Sequence, residues 1–329
     1  MKSPTIAELQ SSDRSESVTF EAIFLFRKSA VKRARNGNEF LTVELGDCTG
    51  NFQFVCFNDN PTRSFFGNTE PGTPVKVSGH TDFYEERFSP RIHTAHSISE
   101  EELSDSSLME RLVASSVENS IDLWNELIDY TNQIREDRLR KTVHKVLSET
   151  EIELKFIPAA ISMHHAYRSG LLEHTVNLCR ACIALLPHYP DINKDLALSG
   201  VIVHDIGKTK EYTHHKQGLA TTRSRIGILQ GHVVLGYRIV RKAAIQCELS
   251  PELIERLEHI VLSHQGELEW GAACMASTPE AVFVSMLDNL DAKLGMVQQA
   301  IRTSLPNQEF SEYLPGLKSA LLLHLNPKS

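Results

Sequence analysis

The sequence predicts a multidomain chain in which a small β-barrel precedes an all-α helical bundle. Three observations lead to that reading. Before about residue 100, apolar residues recur at every second position in several short runs. Beyond about Glu100 the period lengthens to that of a helix. Ten of the 15 histidines lie between His164 and His264, inside the helical half. With 329 residues, and about 150 residues per domain, the chain has room for two domains, each with its own core.

In the first strand Val18, Phe20, Ala22, Phe24 and Phe26 share one face. Phe40–Leu45 alternates again after an Asn36-Gly37 turn signal. Gly46-Asp47-Cys48-Thr49-Gly50 reads as a turn, and Asn51–Phe57 as the next strand. Pro71-Gly72-Thr73-Pro74 punctuates the chain before Val75–Gly79, and a last extended piece falls around Phe88–Ile98. Five short strands at this spacing fit a small barrel.

The helical half has readable ends. Leu103–Thr150 is rich in Glu, Leu, Arg and Ser with few breaks, and Leu171–Leu186 forms one helix between Gly170 and Pro187. Ser250 caps a helix that has Pro251 in its first turn and Gly266 beyond its end, and Thr278 with Pro279 repeats the signal. These signals divide the chain into a barrel (1–100), a helical connector (101–155) and a helical domain (156–329).

Composition narrows the function classes. Hydrophobic residues make up 41% and charged residues 23%, which is ordinary for a globular protein, and the formal charge is −8. A nucleic-acid site must therefore be a local patch. Met1–Glu21 has no apolar stretch of the secretory kind, and no apolar run of about 18 residues is visible, so no membrane span is expected. Six scattered cysteines do not make a disulfide framework, and the expected location is cytoplasmic. Cys179 and Cys182, a lone CxxC inside a helical pattern, read as small core residues.

The sharpest feature is Val201-Ile202-Val203-His204-Asp205-Ile206-Gly207-Lys208. Here a histidine and an aspartate stand together at the end of an apolar run. A buried ionised aspartate costs several kcal/mol unless it is paired or binds a metal. Imidazole plus carboxylate is a normal partial shell for a divalent cation, but two adjacent residues cannot complete it. The helical period supplies further inward candidates. His174 shares a face with Leu171, Leu178, Cys182 and Leu185, and His232 with Leu235, Gly236, Ile239 and Ala243. His264 continues the line Leu253, Leu257, Ile260 and Val261, whereas His259 follows Glu252 and Glu255 on the polar side. Asp288 lies with Ala281, Val284, Ala292 and Gly295, and Asp291, one turn on, competes with it.

His174, His204-Asp205 and Asp288 resemble the H…HD…D signature of the HD phosphohydrolase superfamily. The resemblance implies an all-α domain holding one or two divalent metals. His174, His204, Asp205 and Asp288 would hold one, and Asp205 would bridge to a second held by His232 and His264. Lys208 would offer positive charge to phosphate oxygens, so Asp205 and Lys208 are the catalytic candidates. Three longer strings resemble the YhaM-like 3′-to-5′ exoribonucleases. They are His164-His165-Ala166-Tyr167-Arg168-Ser169-Gly170-Leu171-Leu172-Glu173-His174-Thr175, Leu262-Ser263-His264-Gln265-Gly266-Glu267-Leu268-Glu269 and Leu287-Asp288-Asn289-Leu290-Asp291-Ala292-Lys293. That family joins an OB-fold to an HD domain, and the likeness runs from about Val18 to Thr303. Arg168-Ser169 and Thr213–Ile228 depart from the family pattern. His164, His165 and Arg168 become substrate-binding candidates.

The first 102 residues carry 11 Lys+Arg against 15 Asp+Glu. Yet Arg27, Lys28, Lys32, Arg33 and Arg35 cluster without an acid among them. As a basic loop beside strands bearing Phe40, Phe52, Phe57, Phe83, Tyr84 and Phe88, they would bind a single strand by phosphate contact and stacking. At least half of those aromatics are expected in the core, with Phe52 and Phe54 on one face and Phe57 on the other.

The leading expectation is a metal-dependent 3′-5′ exonuclease acting on single-stranded RNA, with DNA as the alternative, to release nucleoside monophosphates. An HD hydrolase of nucleotides or cyclic dinucleotides is the second reading, although no Gly-Tyr-Pro follows the HD pair. A non-enzymatic single-strand-binding regulator is the third. Manganese is favoured, partly from the family; Fe, Co, Ni and Zn also fit His and Asp ligands, and Mg fits them less well. A homo-oligomer built through helices of Leu103–Thr150 stays open.

Overall fold

The first strand extends further than its apolar alternation. In a computed structural model of the chain, β1 runs Thr19–Arg33, and only its first half faces the core. The structure describes residues 3–12, 16–33, 37–84, 87–99, 102, 108, 111–112, 118–159, 168–214, 221–304 and 308–323. They fall into two units, Met1–Ser115 with His214–Thr221, and Ser116–Thr213 with Thr222–Ser329.

In the first unit β1 pairs antiparallel with β2 (Glu39–Asp47) and β4 (Pro74–His80). β3 (Gly50–Cys56) extends the sheet beyond β2, and β5 (Arg91–Ser97) extends it beyond β4. The order is β3-β2-β1-β4-β5. Among the described residues no ladder joins the two edge strands. A minor ladder pairs Phe83–Tyr84 with Arg87–Phe88. Phe20, Phe24, Phe26, Val43, Leu45, Phe52, Phe54 and Val77 fill the core. Two short helices complete the unit: α1 (Ile6–Gln10), held by a Thr5–Glu8 capping box, and α2 (Arg63–Asn68).

The basic run is not a loop. Arg27, Lys28, Lys32 and Arg33 lie on β1 itself, and Arg35 falls outside the described residues. The register shifts between Phe26 and Lys28, and beyond it the ladder continues from Lys28↔Glu44 to Arg33↔Glu39. This second half of β1 is solvent-facing on at least one side, where charged residues keep their hydration; backbone pairing with β2 and the Lys28–Glu44 and Arg33–Glu39 ion pairs hold the strand.

The second unit contains α3 (Ser120–Asn132), α4 (Asp137–Leu154), α5 (Gly170–Leu185), α6 (Lys194–Val203) and α7 (Lys208–Glu211). After them come α8 (Arg225–Gln246), α9 (Pro251–Ser263) and α10 (Pro279–Thr303). Leu127 of α3 and Val143 of α4 share one core with Leu178 of α5, Val201 of α6, Ile260 of α9 and Val284 of α10. Cys179 and Cys182 are buried in it. The caps read from sequence are made: Ser250 accepts from the Leu253 N–H and Thr278 from the Ala281 N–H. The chain between α7 and α8 departs from the all-α expectation: Tyr212–His214 and Thr221–Arg223 pair as a two-stranded ladder. α8 is broken at Gly231, whose φ of 68° suits glycine. Among the described residues no helix is long and apolar enough to cross a membrane.

Candidate metal centre

α6 is buried along its length from Leu196 and delivers His204 and Asp205 into the interior at its C-terminal end. There the chain turns sharply, with the Lys208 N–H donating to the Asp205 carbonyl, before α7 begins. The close approach of α8 to this turn is possible because residue 207 is glycine. A Cβ there would lie 1.9 Å from the His232 carbonyl oxygen and 2.4 Å from the Gly236 nitrogen. The Asp205 turn and α8 therefore touch backbone to backbone, and this contact carries His232 to the aspartate. His174 arrives from α5, His264 from the end of α9, and Asp288 from α10.

Two groups result. The ligand atoms of His174, His204 and Asp288 lie within 4.8 Å of one another, as do those of Asp205, His232 and His264. Asp288 Oδ1 is 3.3 Å from His174 Nε2 and 3.8 Å from His204 Nε2. Asp205 stands between the groups. Its Oδ2 is 3.8 Å from His174 Nε2 and 3.5 Å from His204 Nε2. Its Oδ1 is 3.5 Å from His232 Nε2 and 3.4 Å from His264 Nε2. Ligands about 2.0–2.2 Å from a cation stand about 3.0–3.6 Å apart, so these side chains need little movement to hold one. Asp205 Oδ1 is buried and makes no hydrogen bond. Such an atom costs about 1–3 kcal/mol unless a cation or water meets it. The donor set and this oxygen together fit divalent cations.

Each of the four imidazoles turns Nε2 toward the groups and Nδ1 toward an oxygen. His204 Nδ1 is 2.7 Å from the Val201 carbonyl, and His264 Nδ1 is 2.7 Å from that of Val261. His174 Nδ1 is 2.7 Å from Asp291 Oδ2, and His232 Nδ1 is 3.1 Å from Glu211 Oε2. A proton held at Nδ1 leaves the Nε2 lone pair free for a metal. Asp288 and Asp291 thus have different places: Asp288 faces the ligand side of His174 and Asp291 its outer side.

The protein's own charges set the protonation. For His174, burial lowers the pKa, but the hydrogen-bonded Asp288 and Asp291 carboxylates outweigh it and raise the value to about 10. For Asp288, burial pushes upward and the His174 contact more than reverses it, to about 2. Asp205 is likewise held well below the carboxylate range: burial opposes this, and the Lys208 charge and the neighbouring imidazoles prevail. Lys208 is buried with Nζ 2.5 Å from Asp205 Oδ2, and that carboxylate raises its pKa against the effect of burial.

The structure brings together all six metal-ligand candidates and Lys208. His259 sits apart from them and accepts the Ser277 N–H at Nε2. Arg168 is exposed and stacks on Phe156, 4.6 Å from the ring centroid. His164 and His165 lie outside the described residues. On the sheet, Lys28 pairs with Glu44 and Arg33 with Glu39, while Lys32 lines a shallow depression with Lys28, Thr42, Glu44 and Gln53. Phe52 is in the core; Phe40 and Phe57 meet on the outer face, 5.9 Å between centroids.

Sequence reasoning missed Glu211 and Gln265. The Gln265 amide nitrogen lies 3.1 Å from the Nε2 atoms of both His232 and His264. Glu211 closes a four-residue helix, too short for periodicity to show which way it points.

Two family models match the chain. The model of the HD domain matches residues 171–293, which span every residue of both groups. The model of the OB-fold nucleic acid binding domain matches residues 25–98, the sheet from the middle of β1 to the end of β5. The chain therefore joins an OB-fold nucleic acid binding domain to an HD domain of the metal-dependent phosphohydrolase kind.

Proposed function

We propose that this chain is a metal-dependent 3′-5′ exoribonuclease that shortens single-stranded RNA to nucleoside monophosphates, with manganese the favoured ion. The observation that carries the hydrolytic part is Asp205, whose two oxygens face two separate sets of imidazoles. Two divalent cations, when bound, supply Lewis acidity that activates water and offsets charge on the phosphoryl oxygens. His174, His204, Asp205 and Asp288 would hold one, and Asp205, His232 and His264 the other. Lys208, fixed on Asp205, would offer its positive charge to a phosphate oxygen. The likeness to YhaM-like enzymes supports both RNA as substrate and the polarity.

The sheet of the OB-fold supports a single-strand substrate. Its outer face combines Lys28 and Lys32 with the Phe40–Phe57 pair, Phe57 being 57% exposed. Lysines meet phosphates and rings stack on bases without sequence preference. The experiment is to incubate 5′-labelled and 3′-labelled RNA with the purified chain and Mn2+, Co2+ or Mg2+. The reading expects a ladder from the 5′ label and released mononucleotide from the 3′ label. Turnover of free nucleotides without RNA cleavage would replace it with a small-substrate hydrolase. Single-strand affinity without hydrolysis in any metal would replace it with a binding regulator.

A further inference from the structure

Among the described residues, two buried side-chain oxygens make no hydrogen bond, and both belong to one neighbourhood: Asp205 Oδ1 and Glu211 Oε2. Asp205 is absorbed by the metal centre. Glu211 is not, and its position needs a reason. A buried carboxylate is costly unless a partner compensates it, and Glu211 is 3% exposed. Its Oε2 is 3.1 Å from His232 Nδ1, off the line of a good hydrogen bond. Its Oε1 meets the largely exposed Arg223 only at 3.5 Å.

The backbone around Glu211 is held firmly. Its N–H donates to the Gly207 carbonyl and its carbonyl accepts the Ser224 N–H. A Cβ at Gly227 would lie 2.3 Å from the Glu211 carbonyl oxygen, so the first turn of α8 packs directly on it. The break at Gly231 then sets the course of the chain one residue before His232. The carboxylate is thus built into place against the outer nitrogen of one imidazole.

The two groups share a plan. In each, one histidine is held by a main-chain carbonyl three residues earlier, His204 by Val201 and His264 by Val261. In each, the other faces a carboxylate, His174 with Asp291 and His232 with Glu211. A carboxylate on the outer nitrogen fixes the tautomer and ring orientation and strengthens the imidazole as a ligand.

We infer that Glu211 is a positioning residue that holds the His232 imidazole with Nε2 toward the Asp205–His264 group and so sets the affinity of that site for a divalent cation. The inference rests on the metal-centre reading above, and the test separates the two. Metal-free full-length chain is titrated with Mn2+ by calorimetry and with Co2+ by visible absorption. His264→Ala identifies which binding event belongs to the Asp205–His232–His264 site. Glu211→Ala should weaken that event by about 10- to 100-fold and alter its Co2+ band. The event at His174–His204–Asp288 should stay within about two-fold. Arg223→Ala, which removes the other neighbour of Glu211, should leave both events as in the wild type. Glu211→Gln, of equal size, makes the same test if the alanine variant does not fold, with a loss of about ten-fold expected. Wild-type affinity and an unchanged Co2+ band in folded Glu211 variants would overturn the inference and leave the metal centre standing. A wild-type chain that binds neither ion would overturn both.

Discussion

Replacing Gly207 with alanine tests what holds the two halves of the centre together. Its φ of −63° and ψ of −21° are open to any residue, so space alone resists the change. The new Cβ would lie 1.9 Å from the His232 carbonyl oxygen, where real contacts do not fall below 3.0 Å. The opposing atoms are backbone and cannot rotate away, so α8 or the Asp205 turn must retreat by about 1 Å. Overpacking of this kind costs about 1–3 kcal/mol. For a unit of this size that lowers Tm by about 2–12 °C. The same retreat widens the 3.5 Å gap between Asp205 Oδ1 and His232 Nε2, and should weaken Mn2+ binding there by about 10-fold or more, the loss expected when a ligand is displaced from its support. Thermal unfolding in chelator and Mn2+ titration read the two effects separately. Gly236→Ala is the graded control, because its Cβ would meet the Gly207 nitrogen and Val261 Cγ1 only at 3.3 Å. It should cost less than about 1 kcal/mol. A Gly207→Ala chain with wild-type Tm and Mn2+ affinity would refute the account of how α8 brings His232 to Asp205.

Asp288→Asn removes a candidate ligand and should abolish the binding event at His174 and His204. Asp291→Asn disturbs the outer nitrogen of His174 and should weaken that event by about 10- to 100-fold; equal losses in calorimetry would refute the distinction. Arg180 bonds both Glu118 and Glu126 on the helical unit, and through these bonds it lowers both carboxylate pKa values. Arg180→Met should cost about 1 kcal/mol at neutral pH after allowance for solvent screening. Depressed carboxylate pKa values contribute stability above the unfolded value of about 4.3 and lose it as pH falls through the folded value. The Tm difference from wild type should therefore shrink below about pH 4, and a difference that grows there contradicts the pairing. Lys32→Ala with Phe57→Ala should weaken binding of single-stranded RNA about ten-fold or more and reduce the salt dependence of log K by about one charge, measured by fluorescence anisotropy. Unchanged affinity and slope would remove this face from the RNA path.

Repetition made parts of the molecule legible in the sequence. Strand alternation placed Phe20, Phe24 and Phe26 on the core side, because neighbouring side chains on a strand must point to opposite faces. The helical period turned His174, His232 and His264 inward, because residues three or four apart share a face. Ser250 and Thr278 marked helix starts because the first N–H groups need acceptors. Periodicity says nothing about where a strand ceases to need a core, so the basic run read as a loop when pairing with β2 carries it on β1. Nor does it resolve four residues, which left Glu211 unseen.

The sequence by itself therefore determined the two kinds of architecture and the inward direction of the histidines, since both follow from local geometry. Which of Asp288 and Asp291 faces the ligand side of His174, that Asp205 stands between two groups, and that Glu211 lies behind His232 were decided only by the tertiary structure. Those relations depend on how closely α8 and α10 approach the turn after α6. That distance is set by glycine contacts and packing between segments far apart in the chain.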